Sequence, residues 1–352
     1  TIIVIYANET ATSIDYTNEG KDSKDIDVNI ESVVEIPKEE KEDTISVEEI
    51  QNLKASSNIQ TSQGIKVETI AMVGDKTLED GESVHEDEII KYMVSVTNTT
   101  NSTINNIKIE GSIPDGTTYA TVQYCVSDSG EDAYVYVKDE NTKKYEEKIE
   151  NLETGKTITK FYEVQVNKLN DGEDIKNIEQ LFKIYKNNTE ITNNSLKNNI
   201  KHGDITVRLQ SGDNSGEVYG YEYGLWIYNN TNNDINDVIA TCKMPAELDI
   251  LEDENGELSI EAFSNVTDSN GEVHEEEISV EKNLEDRNLT IKIPKVSANG
   301  KVNIVIETIQ KKFESGKYEY DISAFANVSY NNNDEIYYAN ENRIKSLIDG
   351  VQ

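Results

Sequence analysis

The chain is poor in cysteine, proline and tryptophan, and it carries about half as many basic as acidic residues. Each shortage excludes something. The two thiols, Cys125 and Cys242, form no CxxC pair, which removes zinc ribbons and thioredoxin-type chemistry. So little cysteine leaves both the cytosol and a Gram-positive-type cell surface open. Against 68 acidic residues stand 33 basic ones, a net charge of −35 that repels nucleic-acid phosphates and anionic lipid head groups. Nucleic acid is therefore excluded as a partner. No run approaches the roughly 18 apolar residues of a membrane span, so no span is expected in this stretch. Three histidines are too few for most metal centres.

What is present is alternation. Ile, Val and Tyr recur at every second position over short runs, the pattern of strands with one buried face. At 352 residues the chain is long enough for two or three domains. Laying "YMVSVTNTTNSTINNIKIEGSIP" (92–114) over "YGLWIYNNTNNDINDVIATCKMP" (223–245) at a step of 131 gives seven identities in twenty-three positions, among them Asn98/Asn229 and Thr100/Thr231. Chance would give about one or two. Tyr92, Val94 and Val96 share one face and answer to Tyr223, Leu225 and Ile227. Further on, Gly155/Gly300 and Tyr185/Tyr330 match at a step of 145, which predicts 145 − 131 = 14 extra residues in the second copy. "DENG" and "DSNG" in that interval suit an extra hairpin. Cys125 and Cys242 occupy non-equivalent places in different copies and are expected to stay unpaired. Short strands at turn-spaced intervals, with few helix signals, predict an all-β chain of tandem β-sandwiches.

The opening "TIIVIYANETATSIDYTNE" aligns with the end of the second copy, "FANVSYNNNDEIYYANEN", and reads as the final hairpin of a preceding partial module. The rival readings are the tail of a cleaved signal peptide and a free apolar strand. Without its sheet, the face carrying Ile3, Ile5 and Ala7 is a candidate inter-subunit strand. The expected division is a hairpin over 1–19, an acidic linker over 20–63, sandwich modules over 64–203 and 204–346, and the start of a next linker over 347–352. Within the linker, Ser46 and Glu49 have capping-box spacing before Ile50 and Leu53, which suits a short helix, an acidic spacer being the blander reading.

These residues also carry a family resemblance. "INNIKIEGSIPDG", "LETGKTITKFYEVQV" and the closing "FANVSY…YYANEN" resemble the bacterial surface repeat known as domain of unknown function eleven, or the conserved-repeat domain. The resemblance implies immunoglobulin-like sandwiches strung along secreted or wall-attached proteins, with no catalytic residues to carry over. "IEQLFKIY" in the first copy departs from the Asn-Ala-x-Val flavour of the family.

Sites of chemistry are sparse. His85 and His274 begin like HExxH, but Ile89 and Ile278 stand where the second histidine is needed, so solvated loop histidine is the expected reading of both. Gly111 and Gly116 have phosphate-loop spacing, with Thr117 in place of the lysine, and read as a turn around Pro114. The acidic loops fit no calcium-loop register and predict solvated charge, with weak calcium binding as the alternative; no cofactor is called for. Trp226 has outward parity, and with Tyr219 and Tyr221 it is a candidate patch for a sugar or protein partner. The leading expectation is a non-enzymatic structural repeat of an extracellular or cell-wall bacterial protein, a stalk, spacer or shell component touching neighbouring modules or copies of itself. The alternatives are an adhesin for host or cell-wall glycan or protein, and a fibre subunit joined by strand complementation.

Overall fold

A computed structural model describes residues 3–7, 10–14, 58–126, 132–170, 172–214, 220–253, 255–267, 273–310, 319–331, 335–341 and 344–346. The chain forms two compact units, Thr1–Asp43 and Thr44–Gln352. In the first, β1 (Ile3–Ala7) and β2 (Thr10–Ile14) pair antiparallel with Ala7 opposite Thr10. The short helix expected around Ser46 to Leu53 lies outside the described residues.

The described part of the second unit is all strand and turn, arranged as two immunoglobulin-like sandwiches in tandem. The first contains β3 (Asn58–Ser62), β4 (Ile65–Val73), β5 (Lys76–Thr77), β6 (Ser83–His85), β7 (Ile89–Asn98), β8 (Ile104–Ser112) and β9 (Thr117–Val126). It continues with β10 (Asp132–Asp139), β11 (Lys144–Leu152), β12 (Thr157–Val166), β13 (Ile175–Lys186) and β14 (Thr189–Lys201). Strands β3-β4-β7-β12-β9-β10 make one layer and β11-β8-β13-β14-β6 the other.

The second sandwich contains β15 (Ile205–Asn214), β16 (Gly220–Asn229), β17 (Ile235–Lys243), β18 (Leu248–Ile250), β19 (Ile260–Thr267), β20 (Val273–Glu277) and β21 (Glu281–Glu285). It closes with β22 (Asn288–Val296), β23 (Lys301–Gln310), β24 (Glu319–Asp321), β25 (Ala324–Tyr330), β26 (Tyr337–Glu341) and β27 (Ile344–Ser346). Its layers are β15-β16-β23-β19-β20 and β21-β22-β17-β25-β26.

Each sandwich closes over its own apolar cluster, one drawn from residues 65–200 and the other from 205–339. The alternating residues of the repeat are their centres: Tyr92, Val94 and Val96 in one, Tyr223, Leu225 and Ile227 in the other, all fully buried. Burial of each such side chain contributes roughly 1.5–3 kcal/mol, which is why period-two alternation fixes the register of β7 and β16.

Two expectations need correction. The first module begins before Gly64: Gln63 and Gly64, both with positive φ, turn β3 into β4, so Asn58–Ser62 is an edge strand rather than linker. The step in the later strands is 144, since Tyr162 pairs with Tyr92 and Ile306 with Tyr223. The insertion is therefore 144 − 131 = 13 residues, and the left-handed turn position is Gly155 in the first copy and Asn299 in the second, which asparagine tolerates. Much of the extra length does enter at "DENG": β18 leaves β23 at Ile250, opposite Thr308, β19 rejoins it at Ile260, opposite Ile306, and the stretch between is closed by the antiparallel Glu252–Leu258 bridge. What the Asn-Gly signals do not announce is β21, a further short strand whose hairpin with β22 turns at Asp286 and Arg287.

The equivalent tyrosines differ in one respect. The Tyr223 hydroxyl donates to the Ile322 carbonyl at 2.6 Å, whereas the buried Tyr92 hydroxyl has no partner, and burial raises its pKa. Tyr223→Phe is expected to cost about 1–2 kcal/mol and Tyr92→Phe to be neutral or stabilising by up to about 1 kcal/mol in urea unfolding, because only the second removes an unsatisfied polar group.

Candidate functional site

The described chemistry concentrates where the sandwiches meet. Between β14 and β15 the chain passes Gly203, where a Cβ would stand 2.9 Å from both the Ile205 carbonyl oxygen and Cε1 of Tyr337. A side chain there would push the second sandwich off the first. Just past β6, Glu88 turns back to accept from the His85 amide at 2.8 Å and lies 3.3 Å from His85 Nδ1; it also accepts from the Tyr338 amide of the second sandwich at 2.9 Å. The His85 ring stacks on Tyr337 with centroids 4.2 Å apart. Lys201 bonds Glu335, which also accepts from the Tyr337 hydroxyl at 2.9 Å, and the Asp204 amide donates to that hydroxyl at 3.2 Å. His85 is only 4% exposed, so it is a buried joint residue rather than the solvated loop histidine expected; stacking on Tyr337 covers it. His274 is exposed beside Glu276.

Glu335 is held below the ordinary carboxylate range, foremost by its hydrogen bond from Lys201, with burial opposing. Because that value is lower folded than unfolded, the stability it contributes is complete above the unfolded value of about 4.3 and is lost as pH falls through the folded one. The two cores are expected to melt as one transition at pH 7 and to separate below about pH 4. Calorimetry across that range checks this; two unchanged transitions at every pH would count against a coupled joint.

A second link is a backbone one. β10 and β15 pair at Tyr134 and Ser211, which joins one layer of each sandwich into a continuous sheet. Among the described residues the ladder carries only that pair. Where it gives out, a cleft of about 330 Å³ opens between Tyr136 and Lys138 of β10 and Val207 to Gln210 of β15, with Asn340 of β26 and Gln165 of β12 in its wall. Asn340 is buried; its Nδ2 donates to the Tyr136 hydroxyl at 2.9 Å, and its Oδ1 has no partner.

Of the residues singled out in the sequence, Trp226 has the outward parity expected and is half-buried, its indole lying over Gly224, where a Cβ would stand 2.3 Å from Cη2. Arg208 faces it across the ladder on β15 and Asn303 on β23. Tyr221 is 2% exposed and does not belong to a surface patch, because it shares the inward parity of Tyr223 and Leu225. Tyr219 lies outside the described residues. Ile3, Ile5 and Ala7 lie on β1, opposite Ile14, Thr12 and Thr10 of β2. Gly116, with φ of +97°, and the Thr117 amide bonding the Pro114 carbonyl make the turn expected there. Among the described residues no three His, Cys, Asp or Glu side chains are grouped to hold a metal. Cys242 is buried and unpaired, its thiol pushed up to about 12 by burial; the side chain of Cys125 lies outside the described ones. The joint and the cleft carried no sequence signal, since both assemble from segments far apart in the chain.

No family model matches the chain, and no curated protein matches it by sequence. Among solved structures it is similar to the C-terminal domain of the Streptococcus pyogenes antigen I/II-family protein AspA, at 11% identity over 79% of this chain and 98% of that one, TM-score 0.29. It is also similar to the C-terminal domain of the Streptococcus agalactiae antigen I/II polypeptide BspA, at 12% identity, 79% and 99% coverage and TM-score 0.29. A third is the Enterococcus faecalis MSCRAMM ACE, described as binding its ligands by the collagen hug model, at 13% identity, 78% and 95% coverage and TM-score 0.29. These are weak likenesses to bacterial surface adhesin domains, in β-rich architecture only.

Proposed function

We propose that this chain is a non-catalytic structural segment of a secreted or wall-attached bacterial surface protein, serving as stalk, spacer or shell component. The observation that carries the reading is the joint. Two sandwiches with separate cores are tied by a shared sheet, a stacked His85–Tyr337 pair and the Lys201–Glu335 bond, so the second is held in a fixed pose on the first. A flexible tether between independent domains would instead be long and rich in glycine or proline. The resemblance of the repeat to the conserved-repeat family supports the surface setting.

Antibody or protease access on intact cells of the source bacterium tests the setting, with surface exposure expected; a protein reached only after lysis would contradict it. Both sandwiches close over apolar side chains, so chelator or added calcium is expected to move their melting by no more than a few degrees. Collapse in chelator would contradict the cofactor-free reading. Adhesion through a module face is the second reading, and the cleft between the sandwiches is what favours it.

A further inference from the structure

We propose that the cleft between the two sandwiches binds a carboxylated pyranose, a uronic or sialic acid unit of a glycan. Asn340 is 4% exposed, and while its Nδ2 is engaged by Tyr136, its Oδ1 is a buried acceptor with no donor. A native fold leaves few such atoms, and Asn340 is one of the residues that line the cleft.

The charge of the cleft selects the ligand. Lys138 and Arg208 line it, and neither pairs with a carboxylate among the described residues, in a chain with 68 acids. The carboxylate in the wall, Asp87, is already neutralised by Lys168 at 2.9 Å. The unpaired charge is therefore positive. Arg208 is held with its guanidinium 5.3 Å from the centre of the Tyr228 ring, which leaves its fork of donors for a carboxylate.

The remaining wall suits a sugar ring. Gln165 and Gln210 offer amides, which both donate and accept as hydroxyl groups do, and Ile89 and Ala339 supply apolar surface for the C–H face. At about 330 Å³ the cleft lies at the small end of the roughly 300–1,000 Å³ of small-molecule sites. An extended peptide strand does not fit between β10 and β15, because the Tyr134–Ser211 pair already closes that gap at one end. Arg208 stands directly across the ladder from Trp226, so a second ring of the same glycan reaches the indole platform seated on Gly224.

The full chain is titrated by calorimetry with a glucuronate-terminated disaccharide, with sialyllactose, with lactose and with an oligoglutamate peptide. Binding of either acidic sugar at least ~10-fold tighter than lactose is expected, and which one binds separates the two sources. Arg208→Ala, on an exposed side chain, is expected to weaken that binding at least ~10-fold with an unchanged melting temperature. Gln210→Ala gives a smaller loss and serves as the second variant. Equal affinity for lactose, binding of the peptide alone, no binding of any sugar, or an Arg208→Ala protein that binds as tightly as the parent would each overturn the proposal.

Discussion

Asn98→Ala is expected to lower the stability of the first sandwich by about 3 kcal/mol, and Asn229→Ala to do the same to the second. Asn98 is fully buried; its Nδ2 donates to the carbonyls of Ser102 and Leu152, both at 2.8 Å, and its Oδ1 accepts from the amide and hydroxyl of Thr100. Asn229 repeats the device with Asn233, Val296, Ser297 and Thr231. One side chain thus ties the turn after β7 to the end of β11, and its counterpart ties the turn after β16 to the end of β22. Alanine removes these bonds and strands the carbonyls, a loss of roughly 5 °C in melting temperature when the two sandwiches melt as one unit. Asn98→Asp separates donors from acceptor: it keeps Oδ1 but sets a carboxylate oxygen against two carbonyls, so it is expected to be at least as damaging. A thermal shift under about 2 °C for Asn98→Ala would show the turn is held by something else.

The second large effect lies in the first core. Gly111 on β8 faces Phe182 on β13, and at the same places the second copy has Cys242 and Ala326. Volume has been exchanged across the pair. A Cβ at Gly111 would stand 2.7 Å from Cε1 of Tyr162 and 3.1 Å from Cε1 of Phe182, both in an aromatic cluster with Tyr92 and Tyr145. Gly111→Cys alone is expected to cost about 2–3 kcal/mol by overpacking, and Phe182→Ala alone about 3–5 kcal/mol by leaving a cavity. The double variant, which rebuilds the arrangement of the second copy, is expected to be at least about 1 kcal/mol more stable than the sum of the singles predicts. Simple additivity in urea unfolding would sink the compensation.

That exchange also accounts for the departure of "IEQLFKIY" from the closing strand of the second copy: Phe182 stands where Ala326 does, with glycine opposite to admit it. The inward faces of β7 and β16 were legible because a strand's side chains alternate, and the same parity places Tyr221 inside and Trp226 outside. The recurrence of Asn98 and Thr100 at Asn229 and Thr231 was visible, yet asparagine suits exposed turns as well, so nothing local says these two are buried. Gly300 stands one residue past the true counterpart of Gly155, because asparagine also tolerates a left-handed position and Asn299 fills it. His85, Glu88, Lys201, Arg208, Glu335 and Asn340 form no short motif. They meet only once two sandwiches have folded and docked, and one-dimensional spacing does not encode that step.

A role as stalk or spacer requires the docking of the two sandwiches to be fixed. Spin labels at Lys148→Cys and Ile239→Cys, exposed positions on β11 and β17, in a chain carrying Cys125→Ser and Cys242→Ala, report the distance between the sandwiches by pulsed dipolar spectroscopy. A single narrow distance at pH 7 that broadens in Lys201→Ala/Tyr337→Ala is the predicted result. A broad or multiple distribution in the parent chain would mean two domains on a loose tether, and would contradict it.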